Sequence, residues 1–297
     1  MRLGRRFGFV VVALSAAVTF AVCASQTKTA KRAFDPHAVS PIESAKLNRI
    51  LRATASASAA VSRTELAAEG QQLFRSTAVA QRGLSCESCH PAGAANHDLG
   101  VQNHPTKAGD FTGARDPIAL WGVTKTAPYL WPGNVATLNE MTVRVIKNFF
   151  KDGATQADGV TAQQTAALIA YMETLEPPAR SFALGTMSPA AVRGELLFRG
   201  KAGCSGCHSG PFFTDGLIHD ILVPRESGNT DPGSAVVPNG FNTPMLRDVA
   251  ATAPYMHSGL FNSLSEVVDF YASRSIIAPL PLTQTERDDL VAYLEAL

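Results

Sequence analysis

The chain has 297 residues, 45% of them hydrophobic and 17% charged, which is enough to bury one large core or two small ones. Lys and Arg number 26 against 25 Asp and Glu, so the formal net charge is +1 and there is no basic surplus to bind nucleic acid.

The first 24 residues, "MRLGRRFGFVVVALSAAVTFAVCA", place Arg2, Arg5 and Arg6 ahead of an apolar run that ends in a V-x-A site at Val22 to Ala24. That three-part order reads as a secretory signal peptide over residues 1–24, and it implies a periplasmic, exported protein. The rival is an uncleaved anchor, because the run from Phe7 to Cys23 is only slightly short of the roughly 20 residues a spanning helix needs. Membrane association is expected only in that case. Val22 argues against acylation of Cys23, since lipoprotein signals have a small residue there. Cleavage removes three basic residues and no acid, which leaves 23 against 25 and a net charge of −2. Residues 25–62 follow as an N-terminal arm, in which Pro41 to Ala60 could form an amphipathic packing helix.

Beyond the arm, the pattern occurs twice. "GQQLFRS" at Gly70 returns as "GELLFRG" at Gly194, and "LSCESCHPAG" (Leu84 to Gly93) shares C-x-x-C-H with "AGCSGCHSG" (Ala202 to Gly210). "TAPYLWPG" at Thr126 returns as "TAPYMHSG" at Thr252, and "TAQQTAALIAYMETL" at Thr161 as "TQTERDDLVAYLEAL" at Thr283. The offsets are 124, 118, 126 and 122 residues, so the register drifts only by small loop changes. The reading is a duplication, with one domain over residues 63–180 and a second over 181–297.

Within each copy the local signals are helical. Thr161 with Gln164 and Thr283 with Glu286 are capping boxes, and each opens a helix. Leu168, Ile169 and Met172, like Leu290, Val291 and Leu294, recur at helical spacing and give each helix one buried face. Ser188 before Pro189 is a further helix start. Pro224 to Gly240 is rich in Pro, Gly, Asn and Asp and reads as a long loop. Alternating apolar runs are scarce, so the fold class is mainly α.

Once Cys23 leaves with the signal, the four remaining cysteines are Cys86, Cys89, Cys204 and Cys207. A C-x-x-C pair followed by histidine can be a redox dithiol, half a zinc site or the attachment point of a c-type haem. Zinc would pool four thiolates or add histidines at short spacing, but these pairs lie 118 residues apart. A thioredoxin-like site needs a βα context, which is missing. The spacing instead suits two thioether bonds to the haem vinyls with the next residue beneath the iron. Cys86, Cys89, Cys204 and Cys207 are therefore expected to hold two covalent c-type haems, with His90 and His208 as proximal iron ligands.

On these residues, and on "GELLFRGKAGCSGCHSGPFFTDGLIHD" followed by "NTPMLRDVAATAPYMHSGLFNSLSEVVDFY", the sequence resembles the bacterial di-haem cytochrome c peroxidase and MauG superfamily. The resemblance covers essentially the whole chain beyond the signal and is more specific in the second copy. It implies two tandem cytochrome c-like domains, each with one covalent haem, the haems facing across their interface. It also implies an oxidoreductase that reduces hydrogen peroxide, or uses it to oxidise a protein partner. The partners it implies are a small electron-donor protein, cytochrome c or cupredoxin, or a protein substrate. It leaves open a calcium ion between the domains.

By the same resemblance, His104 is the distal residue of the first haem, with His97 as the competing choice, and Trp131 is the electron relay between haems. The family's peroxidases carry a proton-shuttling glutamate about twenty residues after that tryptophan. Here that count reaches Lys151, with Asp152 beside it as the substitute. This departure keeps a non-enzymatic di-haem electron-transfer cytochrome alive as the alternative. For the second haem the resemblance points to Tyr271, fourteen residues after His257 of the "PY-x-H" segment, as the far axial ligand. Met245, Met256 and His257 compete for that place. His219 and His257 are also possible hydrogen-bond partners of haem propionates.

Overall fold

The computed structural model describes residues 63–77, 85–91, 115–147, 160–224, 229–273 and 280–297. The expected signal peptide and N-terminal arm lie outside the described residues. Among the described residues the fold is mainly α-helical. The first half contains helix α1 (63–75), a single turn α2 (Cys86–Cys89), α3 (Leu138–Val145) and α4 (Ala162–Met172). The second contains α5 (Ser181–Leu184), α6 (Pro189–Arg199), α7 (Leu264–Ser273) and α8 (Gln284–Ala296). No helix among the described residues is long and apolar enough to cross a membrane.

The helix starts follow the local chemistry. At α4, Gln164 N–H donates to the Thr161 hydroxyl while Thr161 N–H donates to the Gln164 side chain. The same reciprocal pair joins Thr283 and Glu286 at α8, and Ser188 caps α6 ahead of Pro189. Each such bond satisfies a backbone donor that the first helical turn leaves without a partner.

In each half the first and last of these long helices cross at a glycine. A Cβ on Gly70 of α1 would lie 1.9 Å from the Ala167 carbonyl oxygen, and one on Gly194 of α6 would lie 1.9 Å from that of Asp289. Only glycine lets the two backbones approach so closely. The crossings are closed by equivalent rings: Phe74 meets Tyr171 with centroids 5.1 Å apart, and Phe198 meets Tyr293 at 5.2 Å, both edge to face. Phe74, Leu168, Tyr171 and Met172 anchor one apolar core. Phe198, Leu290, Tyr293 and Leu297 anchor the other.

The loops repeat as faithfully as the helices. Leu130 and Met256 both adopt left-handed backbone, as do Gly133 and Gly259, and an isolated bridge pairs Tyr129 with Val135 and Tyr255 with Phe261. One element has no counterpart among the described residues and no alternating sequence pattern to announce it. It is a two-stranded antiparallel ribbon of β1 (Ile218–His219) and β2 (Phe241–Asn242), which closes the base of the long loop. Its strands are too short for periodicity and are held by pairing distant in sequence. Both halves belong to one compact unit, Thr54–Leu297.

Candidate haem sites and the interface between them

Each C-x-x-C-H segment winds into one helical turn. His90 N–H donates to the Cys86 carbonyl and His208 N–H to the Cys204 carbonyl, both at 2.9 Å. The first turn is fixed by a capping box in which Ser85 and Ser88 exchange bonds. The four cysteines are free thiols, partly buried, with Cys86 against the first apolar core and Cys204 against the second. Burial pushes the thiols of Cys86 and Cys204 up to about 11, so both are neutral. Among the described residues, no group of metal-binding side chains draws the two pairs together.

The histidines suit iron. Burial lowers His90 to about 4 and also lowers His208, so each imidazole is neutral and keeps a lone pair. His208 Nδ1 lies 2.9 Å from the Phe213 carbonyl, which assigns the proton to Nδ1 and leaves Nε2 as the ligand atom. His90 Nδ1 is buried without a partner in good hydrogen-bond geometry, although the Ile118 carbonyl acts on the ring. Ile118 is the repeat counterpart of Pro244, whose carbonyl acts on His208. Two neutral thiols, one neutral histidine and an apolar wall on each side fit a covalently held haem in both halves.

Tyr271 sits on α7, half-buried beside Cys204 and Cys207. Burial first, and then the two neighbouring cysteines, raise its hydroxyl far above the usual tyrosine value. The repeat register places Val145, the last residue of α3, at the equivalent position, where it packs on the first core. The flanking pairs agree, since Thr142 and Val268 are both buried and Ile146 and Ala272 are both buried. One half therefore offers a phenol oxygen where the other offers a methyl-bearing carbon. Of the competing residues, Met245 packs on the core of the first half, and Met256 holds a left-handed turn.

Between the halves the contacts run in reciprocal pairs. Asp116 N–H donates to the His257 carbonyl at 2.8 Å, and its counterpart Asn242 N–H donates to the Trp131 carbonyl at 2.7 Å. Within the first half the Trp131 indole N–H donates to the Asp116 carbonyl at 2.7 Å, and across the interface the Asn242 amide also donates to the Pro128 carbonyl at 2.7 Å. Trp131 and its counterpart His257 thus meet across the interface, edge to face with centroids 6.4 Å apart. His257 is buried and stacks on Phe241 at 3.7 Å, with 12° between the rings. Beside them the Asp116 carboxyl is buried, which lifts it to about 7.

His104, its competitor His97, and Asp152 lie outside the described residues. His219 is bonded through a ring nitrogen to Asp215 at 2.8 Å, and the two lie with Cys207 Sγ within 4.8 Å of one another. That places the pair beside the cysteine that would carry a thioether. Sequence reasoning did not find Asp215, Phe241, Asp116 or Asn242. The last two could have been paired through the 126-residue offset that relates "DPIALW" to "NTPMLR".

No model of a protein family matches the chain. The chain is 32% identical over 286 residues to the methylamine utilization protein MauG of Methylorubrum extorquens, covering 78% of each chain. It is 34% identical over 168 residues to the cytochrome-c peroxidase IdrP2 of Pseudomonas sp. strain SCT, a match that spans 43% of this chain and 46% of that relative. Among solved structures it resembles the dihaem peroxidase BthA of Burkholderia thailandensis, with a TM-score of 0.64 and 20% identity over 78% of this chain and 86% of that one. Similarity to MauG over 78% of each chain, together with the duplicated histidine turns and the shared fold, shows that the chain belongs to the di-haem cytochrome c peroxidase and MauG family of oxidoreductases.

Proposed function

We propose that the protein is an exported, periplasmic di-haem c-type oxidoreductase that reduces hydrogen peroxide, or uses it to oxidise a protein partner. The observation that carries this reading is the pair of neutral, partly buried histidines, each directly following a C-x-x-C pair of neutral thiols, one in each half. Cys86, Cys89 and His90 would hold one haem, and Cys204, Cys207 and His208 the other. When bound, the haems supply irons that exchange electrons singly, whereas hydrogen peroxide takes two electrons and two protons to become two waters.

The chain's own residues divide that work. Tyr271 would supply an oxygen donor to the haem in its half, and Val145 at the equivalent position supplies none. This contrast supports peroxide binding in the first half and electron storage in the second. The Phe213 carbonyl holds the His208 Nδ1 proton, which orients the ring. Trp131 lies between the halves with its indole proton fixed on the Asp116 carbonyl, and it serves as the electron relay. His104 and Asp152 remain the proposed distal residue and proton carrier. The electron source is a small cytochrome c or cupredoxin, with a protein substrate as the other partner.

Intact mass and a pyridine haemochrome spectrum should show two covalent haems on a chain beginning near Ser25. A single haem, or zinc, would overturn the assignment. Peroxide consumption with a reduced cytochrome donor should then be catalytic. Two loaded haems without turnover would instead establish the electron carrier.

A further inference from the structure

The Trp131–His257–Phe241 cluster is assembled from three separate segments, and beside its backbone bonds an ion pair ties two of them together. Arg115 donates to Asp231 through both Nε and Nη2, each at 2.6 Å. The Asp231 side chain is 1% exposed and that of Arg115 20%, so water does little to loosen the pair. Asp231 also accepts the Gly233 N–H at 2.9 Å, and its own N–H donates to the Asn229 side chain at 2.9 Å. The carboxylate therefore fixes the base of the loop that runs on to Phe241. On the other side Arg115 precedes Asp116, whose backbone holds both the Trp131 indole and the His257 carbonyl.

We propose that the Arg115–Asp231 ion pair is a positioning device that seats the Phe241–His257 stack against Trp131 and so sets the rate at which an electron crosses between the halves. The inference rests on the reading of Trp131 as the relay. Buried ion pairs contribute little net stability because desolvation offsets their attraction. A bidentate guanidinium–carboxylate fork does impose direction, fixing two chain segments in one relative orientation. The loop needs this because its internal bonds, Ser234 N–H to Gly240 and Asn239 N–H to Pro232, fold it on itself without tying it to the first half. Asn242, next to Phe241, is bonded to the Trp131 and Pro128 carbonyls on one side of the ring, and the fork adds a second anchor at the far end of the loop.

The test uses the di-haem protein carrying Asp231→Asn or Arg115→Gln, with Phe241→Leu as a variant that keeps the ion pair. Electron redistribution between the haems is timed after flash reduction, and hydrogen exchange is followed at the Asp116 and Asn242 amides. The expected result is both haems loaded, unshifted potentials, faster exchange at those amides and a transfer rate lowered about tenfold or more, as small misplacements of reacting groups produce. A purely stabilising role would lower Tm and leave the rate unchanged, which overturns the proposal. Should Asp231→Asn and Arg115→Gln fail to load both haems, Phe241→Leu decides: slowed transfer supports the seating role and an unchanged rate overturns it. If Trp131→Phe leaves the rate unchanged, the relay reading itself falls, and the positioning inference with it.

Discussion

The two halves share a scaffold and differ where chemistry is done. Both cross their helices at a glycine, both wind C-x-x-C-H into one turn, and both place a left-handed residue before the interface residue, Leu130 before Trp131 and Met256 before His257. Against that constancy, Tyr271 faces Val145 in the register, His257 faces Trp131, and Asn242 faces Asp116. Duplication supplied two equivalent frames, and a few side chains then made them unequal. In the proposed function, that inequality divides peroxide binding from electron storage.

The strongest way to test the shared frame is to break it once in each half. Gly70→Val and Gly194→Val both drive a side chain into a carbonyl oxygen, and each should cost more than about 5 kcal/mol, comparable to the whole stability of a small domain. Yield of doubly haem-loaded protein and denaturant unfolding measure this. Tolerance in one half alone would show that the crossings are not equivalent.

The next effect concerns Asp116 and Asn242. The Asp116 acid binds its proton more tightly in the folded chain, at about 7, than unfolded, at its ordinary value of 3.8. The folded state therefore holds more protons between those values, and stability should fall as pH rises from about 4 to 7. Asp116→Asn makes the two positions alike and should remove that slope, with a gain above pH 7 of up to about 4 kcal/mol in chelator-containing buffer. Thermal unfolding across pH 4–8 decides it, and parallel curves for the two proteins would be the contrary result.

Exchanging the unequal pair on α3 and α7 should matter less to stability and more to the spectra. Val145→Tyr adds bulk at a packed site and should cost about 1–3 kcal/mol while giving the first haem a second axial ligand. Tyr271→Val should free the sixth position of the second haem. Optical and electron paramagnetic resonance spectra report both changes. An unchanged second haem in Tyr271→Val would remove the tyrosine from the ligand set. The smallest effects belong to the shared left-handed turns. Leu130→Gly and Met256→Gly relieve a strained backbone by about 1–2 kcal/mol but lose side-chain packing, so each should shift stability by no more than about 1 kcal/mol. Unfolding midpoints measure that balance, and a large loss at Met256 alone would mark its thioether as more than a turn residue.

The sequence by itself determined whatever short-range chemistry can encode. The capping pairs Thr161–Gln164 and Thr283–Glu286 act over three residues, the C-x-x-C-H turns over four, and the duplication is written in matching segments. Each of these is specified by neighbours in the chain, so spacing suffices to read it. Tertiary structure alone decided what lies between the halves. Asp116 meets His257, Arg115 grips Asp231 and Phe241 stacks on His257 only after loops of unrelated composition have closed upon one another. The β1–β2 ribbon is of the same kind, two residues per strand brought together across a loop. No local propensity announces such contacts, because the groups that satisfy one another there are separated by more than a hundred residues of chain or by a loop whose path packing alone dictates.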